Sequence, residues 1–504
     1  MKLMPDDLPT AVFSAAQVRE LDRIAIRDEG TPGYTLMCRA GQAALSTLMR
    51  RWPAARNVLV YCGAGNNAGD GYVVARLCRS RGLAVRVLAV GPPGRLEGDA
   101  VTAFRDCLDA GVAIEEGTGT PGGGERFMPD VIVDALLGTG VDRPLAGAFA
   151  GAVRDINTNG APVLALDIPS GLDADTGMPQ GDAVCADMTV TFVGLKQGLF
   201  LGRAPDFRGE LAFSDLGIAA AGYGLDPPLR RLAFDDLRAA FPPRPRTAHK
   251  GANGRLLLVG GSPGMAGAIR LAAEAALRAG AGLVYVGTHA QSIATVMAGR
   301  PEIMCHAVSG PEDLKPLIEL ADAAVLGPGL GQSSWGQALW STLIDAALPL
   351  VVDADGLNLL AEVPHERDTW IITPHAGEAA RLLGLTPDAV QADRLTCVAE
   401  LAARFGAAAV LKGACSLTAV PGAADSATVH VCDRGNPGMA TAGTGDMLAG
   451  IVGALLARSV EPALAARAGV LLHALAGDDA AADGERGMIA TDILPFIRRW
   501  ANPT

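Results

Sequence analysis

Short apolar strands that run into glycine-bearing loops and then into helices recur through most of this chain, and no other feature constrains its fold as strongly. In the first half the runs are Asn57 to Cys62, Ala84 to Val90, Asp130 to Asp134, Val163 to Asp167 and Met188 to Val193. In the second half they are Arg255 to Gly261, Gly282 to Gly287, Ala323 to Leu326, Leu350 to Asp353, Trp370 to Thr373 and Ala408 to Leu411. A parallel strand pair needs a crossover, so this alternation predicts largely parallel sheets with helices on their faces. The 63 glycines and an aromatic share of only 4% fit many tight turns between strand and helix. The expectation is an α/β protein whose first part is a Rossmann-like doubly wound parallel sheet, followed by a second α/β domain. Prolines crowd Gly217 to Pro228 and Phe241-Pro-Pro-Arg-Pro-Arg246, where neither a helix nor a central strand can continue. The predicted domains are therefore 1–225 and 247–504, with 226–246 as linker and a short helix over Phe234 to Phe241.

Charge and cysteine usage narrow the function classes. A net charge of −12 and a pI near 5.1 argue against nucleic acid or an anionic membrane as partner. Nine cysteines without a Cys-x-x-Cys pair fit reduced thiols better than a disulfide frame or a zinc site. Met1 to Thr10 carries acids and prolines instead of a signal pattern, and no window reaches the ~18 apolar residues of a membrane span. A cytoplasmic location and a homo-oligomer are expected, although no residue specifies the oligomer.

The loops after the strands carry the chemistry. Gly63-Ala-Gly-Asn-Asn-Ala-Gly-Asp-Gly71 follows a strand as a phosphate-binding loop would, but a dinucleotide fingerprint needs glycine at Ala68 and finds it at Gly69. The next strand ends in Gly91-Pro-Pro, not in the acid that would hold a ribose, which argues against an ordinary NAD dehydrogenase. Asn66, Asn67, Asp70, Asp134, Asp167 and Ser170 all fall at carboxyl ends of strands and are expected to converge on one cleft. Each alone reads as a turn former. Asp167 is the candidate proton carrier, because a buried strand precedes it and Ile168-Pro169 restricts the turn that aims it. Asp70 and Asp173 compete for that role.

The second half centres on Asn436-Pro-Gly-Met-Ala-Thr-Ala-Gly-Thr-Gly-Asp446 and the apolar run Met447 to Ala457. Gly443 and Gly445 allow a sharp turn that aims several N–H groups at one point, and a buried helix after them would make that point an anion site. Asp446, on the first helical turn, is expected to be held ionised and to act as a base in phosphoryl transfer. Ser262 to Ala268, Gly327 to Gly331, Asp353 to Gly356, Pro374 to Glu378 and Lys412 to Ser416 are the other loops of note. Singly, His375 reads as a satisfied loop histidine and Lys412 as a solvated charge. The phosphate loop of P-loop enzymes is missing.

From about residue 10 to 220 the chain resembles the NAD(P)H-hydrate epimerase domain. The motifs that carry the likeness are Asn66 to Gly71, Asp134 to Val141 with Pro144, and Asp167 to Asp173. The resemblance implies that Asn66, Asn67, Ala68, Gly69 and Asp70, with Gly138, Thr139, Gly140, Val141, Asp142, Arg143 and Pro144, bind the hydrated nucleotide. It also implies that Asp167 acts at the reacting carbon and that Asn67, Asp134 and Ser170 hold a potassium ion. The family usually has glycine where Ala68 stands, so a positive φ there would strain the loop. From about residue 245 onward the chain resembles the NAD(P)H-hydrate dehydratase branch of the ribokinase-like superfamily, through Thr247 to Gly254, Gly327 to Gly331, Pro374 to Glu378, Lys412 to Ser416 and Gly443 to Asp446. Here the resemblance implies that Lys412, Gly413, Ala414, Cys415, Ser416 and Gly445 contact the adenine nucleotide. Ala268, Gly331, His375 and Asp446 would contact the hydrated dinucleotide.

Together the halves resemble the bifunctional family that repairs hydrated nicotinamide nucleotides. The implied activity epimerises the R and S forms of NADHX and NADPHX and dehydrates the S form with ADP as co-substrate and Mg²⁺, giving AMP and phosphate. ADP over ATP is implied by the family branch and by no residue. The alternative is a hydroxymethylpyrimidine-type small-molecule kinase fused to a flavodoxin-like binding module.

Overall fold

A computed structural model describes residues 8–117, 127–141, 143–422 and 428–503. The chain divides into two compact units, the first ending at Leu229 and the second beginning at Arg230.

The first unit is built on a seven-stranded sheet of β1 (Asn57–Cys62), β2 (Ala84–Ala89), β3 (Ala113–Glu116), β4 (Val131–Ala135), β5 (Val163–Leu166), β6 (Met188–Phe192) and β7 (Glu210–Ser214). They lie in the order β3-β2-β1-β4-β5-β6-β7, and every neighbouring pair is parallel. The chain starts mid-sheet and winds outward in both directions, so the order reverses between β1 and β4. At such a reversal the loops diverge and leave a crevice at the carboxyl ends of the strands. Every residue of β4, β5 and β6 is buried, which is why these strands are apolar almost throughout.

The stretch read as a glycine loop, Gly63 to Gly71, is a loop only as far as Gly65. Helix α2 (Asn66–Ser80) begins there, after α1 (Gly33–Arg51). The glycines at 69 and 71 therefore serve packing instead of turning. A Cβ on Gly69 would lie 2.6 Å from Met37 Sδ of α1, and one on Gly71 would lie 2.5 Å from Ala135 Cβ of β4. Ala68 is buried and helical, with no positive φ, so the strain considered for it does not arise.

The second unit repeats the plan with β8 (Arg255–Val259), β9 (Leu283–Thr288), β10 (Ile303–Ala307), β11 (Ala323–Leu326), β12 (Leu350–Val352), β13 (Trp370–Ile372), β14 (Ala408–Leu411), β15 (Leu417–Ala419) and β16 (Val429–Val431). Their order is β10-β9-β8-β11-β12-β13-β14-β15-β16, parallel from β10 to β14 and antiparallel across β14-β15-β16. Sequence reading did not count β3, β7, β10, β15 and β16 among its strands. β3, β7 and β10 are only partly buried, and β15 and β16 are three residues each, so none presents a long apolar run.

Four helices of this unit position its site: α3 (Ala266–Arg278), α4 (Asp355–Glu362), α5 (Ala376–Leu383) and α6 (Thr444–Ala457). Met447 to Ala457 of α6 are all buried, as a helix apolar on every side must be.

The stretch expected as linker contains a strand, Leu229–Arg231, and a helix, Phe234–Ala240. The Leu232 N–H donates to Val431 O at 2.9 Å, Arg231 pairs with Asp433 at 2.8 Å, and Asp236 with Arg467 at 2.9 Å. From Arg230 onward these residues belong to the second unit, so a cut belongs before them. Cleavage between Pro227 and Pro228 is expected to leave two fragments that each fold and keep the activity of their own unit. Assays of the separated fragments check this, and two inactive fragments would refute it.

Candidate active sites

In the first unit a cavity of about 290 Å³ opens at the strand-order reversal. Asn66, Asn67, Asp70, Gly138, Thr139 and Asp167 line it, joined by Asp22 and Lys196. Gly140, Val141, Arg143 and Pro144 are not among its lining residues, and Asp142 lies outside the described residues.

Asp134 and Ser170 sit beneath the cavity instead of in it, both fully buried. Ser170 donates to Asp134 through Oγ at 2.7 Å and through its backbone N–H at 2.8 Å. Burial still pushes the Asp134 carboxyl up to about 6, with the Ser170 bonds pulling the other way. Asn67 Nδ2 donates to Leu137 O at 2.9 Å, while its Oδ1 is buried without a partner. The six strand-end residues therefore form two layers, a wall around the cavity and a polar floor below it.

Asp167 stands just past β5 in the left-handed region, φ 66°, and its N–H donates to Val190 O at 2.7 Å. An acid in that conformation stores strain of order 1–3 kcal/mol, and such strain gathers at functional positions. The Lys196 ammonium donates to Asp167 Oδ1 and also to Thr191 Oγ1 at 3.0 Å and Phe192 O at 2.8 Å. Lys196 is 1% exposed and was not a candidate from sequence. A buried lysine needs a paired acid, and its place just after β6 was the available clue. Asp22 is raised to about 6, chiefly by burial, with Lys196 lowering it and Asp167 adding to the rise. Asp70 is raised well above the ordinary carboxylate range by burial, then by Asp167 and Asp22. The wall thus holds two acids raised above the ordinary carboxylate range beside a lysine-paired carboxylate.

In the second unit the acids gather at the ends of β12, β13 and α6. Asp353 ends β12 and is followed by Ala354, a non-glycine residue at φ 47°, and then by Asp355 at the start of α4. Lys412, after β14, donates to Asp353 at 2.6 Å and lies 3.8 Å from Glu378. Burial alone would lower the Lys412 pKa, but Asp353, Glu378 and Asp446 carry it above its ordinary value. Lys412 is therefore a half-buried cation tied to carboxylates, not the solvated charge of the simplest reading.

Gly443 precedes α6 at φ 94°, a left-handed turn that a side chain would strain, and no side chain caps the start of this helix. Its first N–H groups are thereby left for an anion. Gly445 is inside the helix and does not make the turn. Its missing side chain leaves space beside Lys412, whose Nζ would lie 3.4 Å from a Cβ there.

Asp446 is not held in the ordinary carboxylate range that the anion-site reading expected. Burial, then Asp353, with Glu378 and Asp355 adding to it, raises its carboxyl to about 7 against the opposing pull of Lys412. The helix end cannot offset desolvation together with three neighbouring acids. Glu378 is likewise raised, first by burial.

His375 caps α5, its Nδ1 accepting from the N–H groups of Gly377 at 2.9 Å and Glu378 at 3.3 Å. The Gly331 N–H donates to Asp355 at 2.8 Å, and Ala268 Cβ would lie 3.3 Å from a Cβ on Gly329. Gly413 to Ser416 close a turn in which Ser416 Oγ donates to Gly413 O at 3.1 Å, with Cys415 at φ 53°. The structure brings Lys412, Gly445 and Asp446 together with Asp353, Asp355 and Glu378. The last three lay in motifs noted from sequence but were not chosen, because only the crossing of β12, β13 and α6 ends gathers them.

Two parallel doubly wound units, the second ribokinase-like, each with acids at strand carboxyl ends, define a two-site α/β enzyme. Residues 256–499 match the family model described as NAD(P)H-hydrate dehydratase, and residues 33–198 match that of the YjeF-related protein N-terminus. A ribokinase-like superfamily protein of Enterococcus faecalis V583 has 29% identity and a TM-score of 0.50 over 55% of this chain and 96% of its own. The bifunctional NAD(P)H-hydrate repair enzyme of Coxiella burnetii is 44% identical over 98% of this chain and 100% of its own. That of Escherichia coli is 43% identical over 100% of this chain and 96% of its own. This chain belongs to the family of bifunctional NAD(P)H-hydrate repair enzymes, with an epimerase unit followed by a dehydratase unit. The kinase alternative is not favoured. Among the described residues no helix is long and apolar enough to cross a membrane.

Proposed function

We propose that the second unit dehydrates the S form of NADHX and NADPHX at the expense of ADP, with Asp446 as base, and that the first unit feeds it by inverting the R form through Asp167. The observation that carries the reading is a half-buried carboxyl at the uncapped start of α6, beside Lys412 and close to Asp353, Glu378 and Asp355, which with burial raise it to about 7. A base poised near 7 is best matched to taking a proton at physiological pH.

In this reading Asp446 takes the proton of the ring hydroxyl as that oxygen bonds to the terminal phosphorus of ADP and AMP departs. Phosphate then leaves with the electrons of the ring C–O bond, the adjacent ring carbon gives up a proton, and the dihydropyridine is restored. The N–H groups of Gly445 and its neighbours face the charge that spreads over the phosphoryl oxygens. Lys412 holds Asp353 and offsets part of the acidic charge.

Mg²⁺ fits as a companion of the nucleotide. No group of three or more His, Cys, Asp or Glu among the described residues could hold a metal ion, yet the acids here outnumber Lys412, the cation paired with them. Asp355, Glu378 and Asp446 are suited to hold its water shell, and it would supply neutralisation of the phosphates. Incubating the protein with hydrated NADH and either ADP or ATP tests the function. Recovery of reduced-nicotinamide absorbance is expected with ADP, and no recovery with either donor would overturn the reading.

K⁺ fits the floor of the first site. Asn67 Oδ1 is buried and unpartnered, and the Asn67 amide is linked through Leu137 O and Ser170 Oγ to Asp134, a cluster of amide, carbonyl, hydroxyl and carboxylate oxygens that suits a hard cation. Asn67, Asp134 and Ser170 would hold it, lending positive charge beneath the substrate. Asp134→Ala is expected to impair epimerisation more than dehydration, and exchanging K⁺ for Na⁺ should slow the same step. Anomalous scattering without an ion at these side chains would remove the assignment.

A further inference from the structure

We propose that the second unit carries a separate binding site for nucleoside polyphosphates, in the arginine-lined cavity where four of its helices end. The cavity measures about 570 Å³, inside the ~300–1,000 Å³ typical of small-molecule sites. Arg244, Arg278, Arg458 and Arg498 line it, and no acidic side chain does. None of the four takes part in an ion pair among the described residues.

The simpler explanation of these arginines is that they offset helix dipoles. Arg278 is the last residue of α3, Arg458 is the C-cap of α6, and Arg498 lies in the last turn of α7 (Ala490–Trp500). Phe241, also at the cavity, is the C-cap of the helix Phe234–Ala240, so four helix ends, each carrying roughly half a negative charge, offer roughly −2 against four guanidinium groups. A surplus of positive charge remains. Burial and the nearby Arg244 both lower the Arg458 pKa, consistent with positive charge left without a counterpart. Arg244 is held in place by donating to Gly280 O at 2.5 Å, at the C-terminal end of α3.

The cavity's shape selects the ligand further. Guanidinium forks pair with phosphate oxygens two at a time, and several on one rim suit linked phosphates. Phe241, with Arg458 stacked over its ring at 5.3 Å, joins Leu277 and Pro503 in an apolar wall that suits the organic part of a nucleotide. Asp446 and Arg458 stand at opposite ends of the same helix, ~18 Å apart at 1.5 Å per residue, so this site is distinct from the acid cluster.

Titration calorimetry of the full chain with ADP tests the proposal, comparing wild type with Arg278→Ala/Arg498→Ala. Both arginines are exposed, so the double variant is expected to fold and to keep its basal dehydratase activity. It should bind one equivalent of ADP fewer than wild type, or bind that equivalent at least tenfold more weakly. Tripolyphosphate should displace this equivalent, and displacement weaker than by ADP would assign part of the affinity to the nucleoside. Equal stoichiometry and affinity in the two proteins would overturn the proposal.

Discussion

Asp446→Asn is expected to lower the kcat of ADP-dependent dehydration by roughly 10²–10⁴-fold, the usual contribution of a positioned base. ADP binding should be largely kept, because the amide retains the shape and the N–H groups of α6 are backbone. Epimerisation, carried by the other unit, should be untouched. The pH profile separates a catalytic role from a structural one. A carboxyl raised to about 7 must lose its proton to work, so wild-type kcat/KM should rise with pH through about 7 and then level off. The variant should lack that rise.

Stability gives an independent readout. Because the folded-state pKa lies above the ordinary value, folding favours the protonated acid. The stability this contributes is present at low pH and is lost as pH rises from the ordinary carboxylate range to about 7. Asp446→Asn has no such charge and should melt no lower than wild type at pH 8. Near-normal turnover in the variant would return Asp446 to the role of a residue at a helix start.

Asp167→Asn is expected to abolish enzyme-catalysed epimerisation while dehydration of the correct epimer continues. The reacting carbon carries the hydroxyl beside the ring nitrogen, so inversion needs either a planar centre or ring opening. Both need a group that gives and takes a proton. Asp167 lines the cavity with Lys196 at its Oδ1, while Asp70 is raised well above the ordinary carboxylate range and is less available as a base, which leaves Asp22, raised to about 6, as the competitor.

Asparagine is the cleaner replacement, because it tolerates the left-handed φ that Asp167 occupies. Asp167→Ala should also stop inversion. Both replacements take the charge partner from the buried Lys196, a loss on the order of 3–5 kcal/mol, but asparagine keeps an oxygen that can accept from its ammonium and alanine does not. Given a mixed-epimer sample, Asp167→Asn should consume one epimer rapidly and then slow to the spontaneous rate, whereas wild type runs to completion. A variant that completes the mixture as fast as wild type would move the role to Asp70 or Asp22.

How far the sequence could be read depended on the range of the interaction. Strands buried on both faces must be apolar and turns between them need small residues, so β1, β4, β5, β8, β11 and β14 were legible as local patterns. The same locality marked Asp446 at the start of α6 and Asp167 at the end of β5. The protonation of Asp446 was not legible, because it depends on Asp353, Asp355 and Glu378, which lie 68 to 93 positions earlier in the chain. Gly69 and Gly71 look like loop residues until α1 and β4 are packed against them, and only then is their missing side chain a matter of space. Lys196 has no signature of its own and acquires one from the burial that forces it against Asp167. By itself the sequence determined the alternation, the family and the loops that bear the chemistry, since each is carried by near neighbours along the chain. Which acids are raised above the ordinary carboxylate range, which lysines are paired with acids, and where four arginines meet at the ends of four helices were decided by the tertiary structure, because charge and desolvation act through space between residues far apart in the chain.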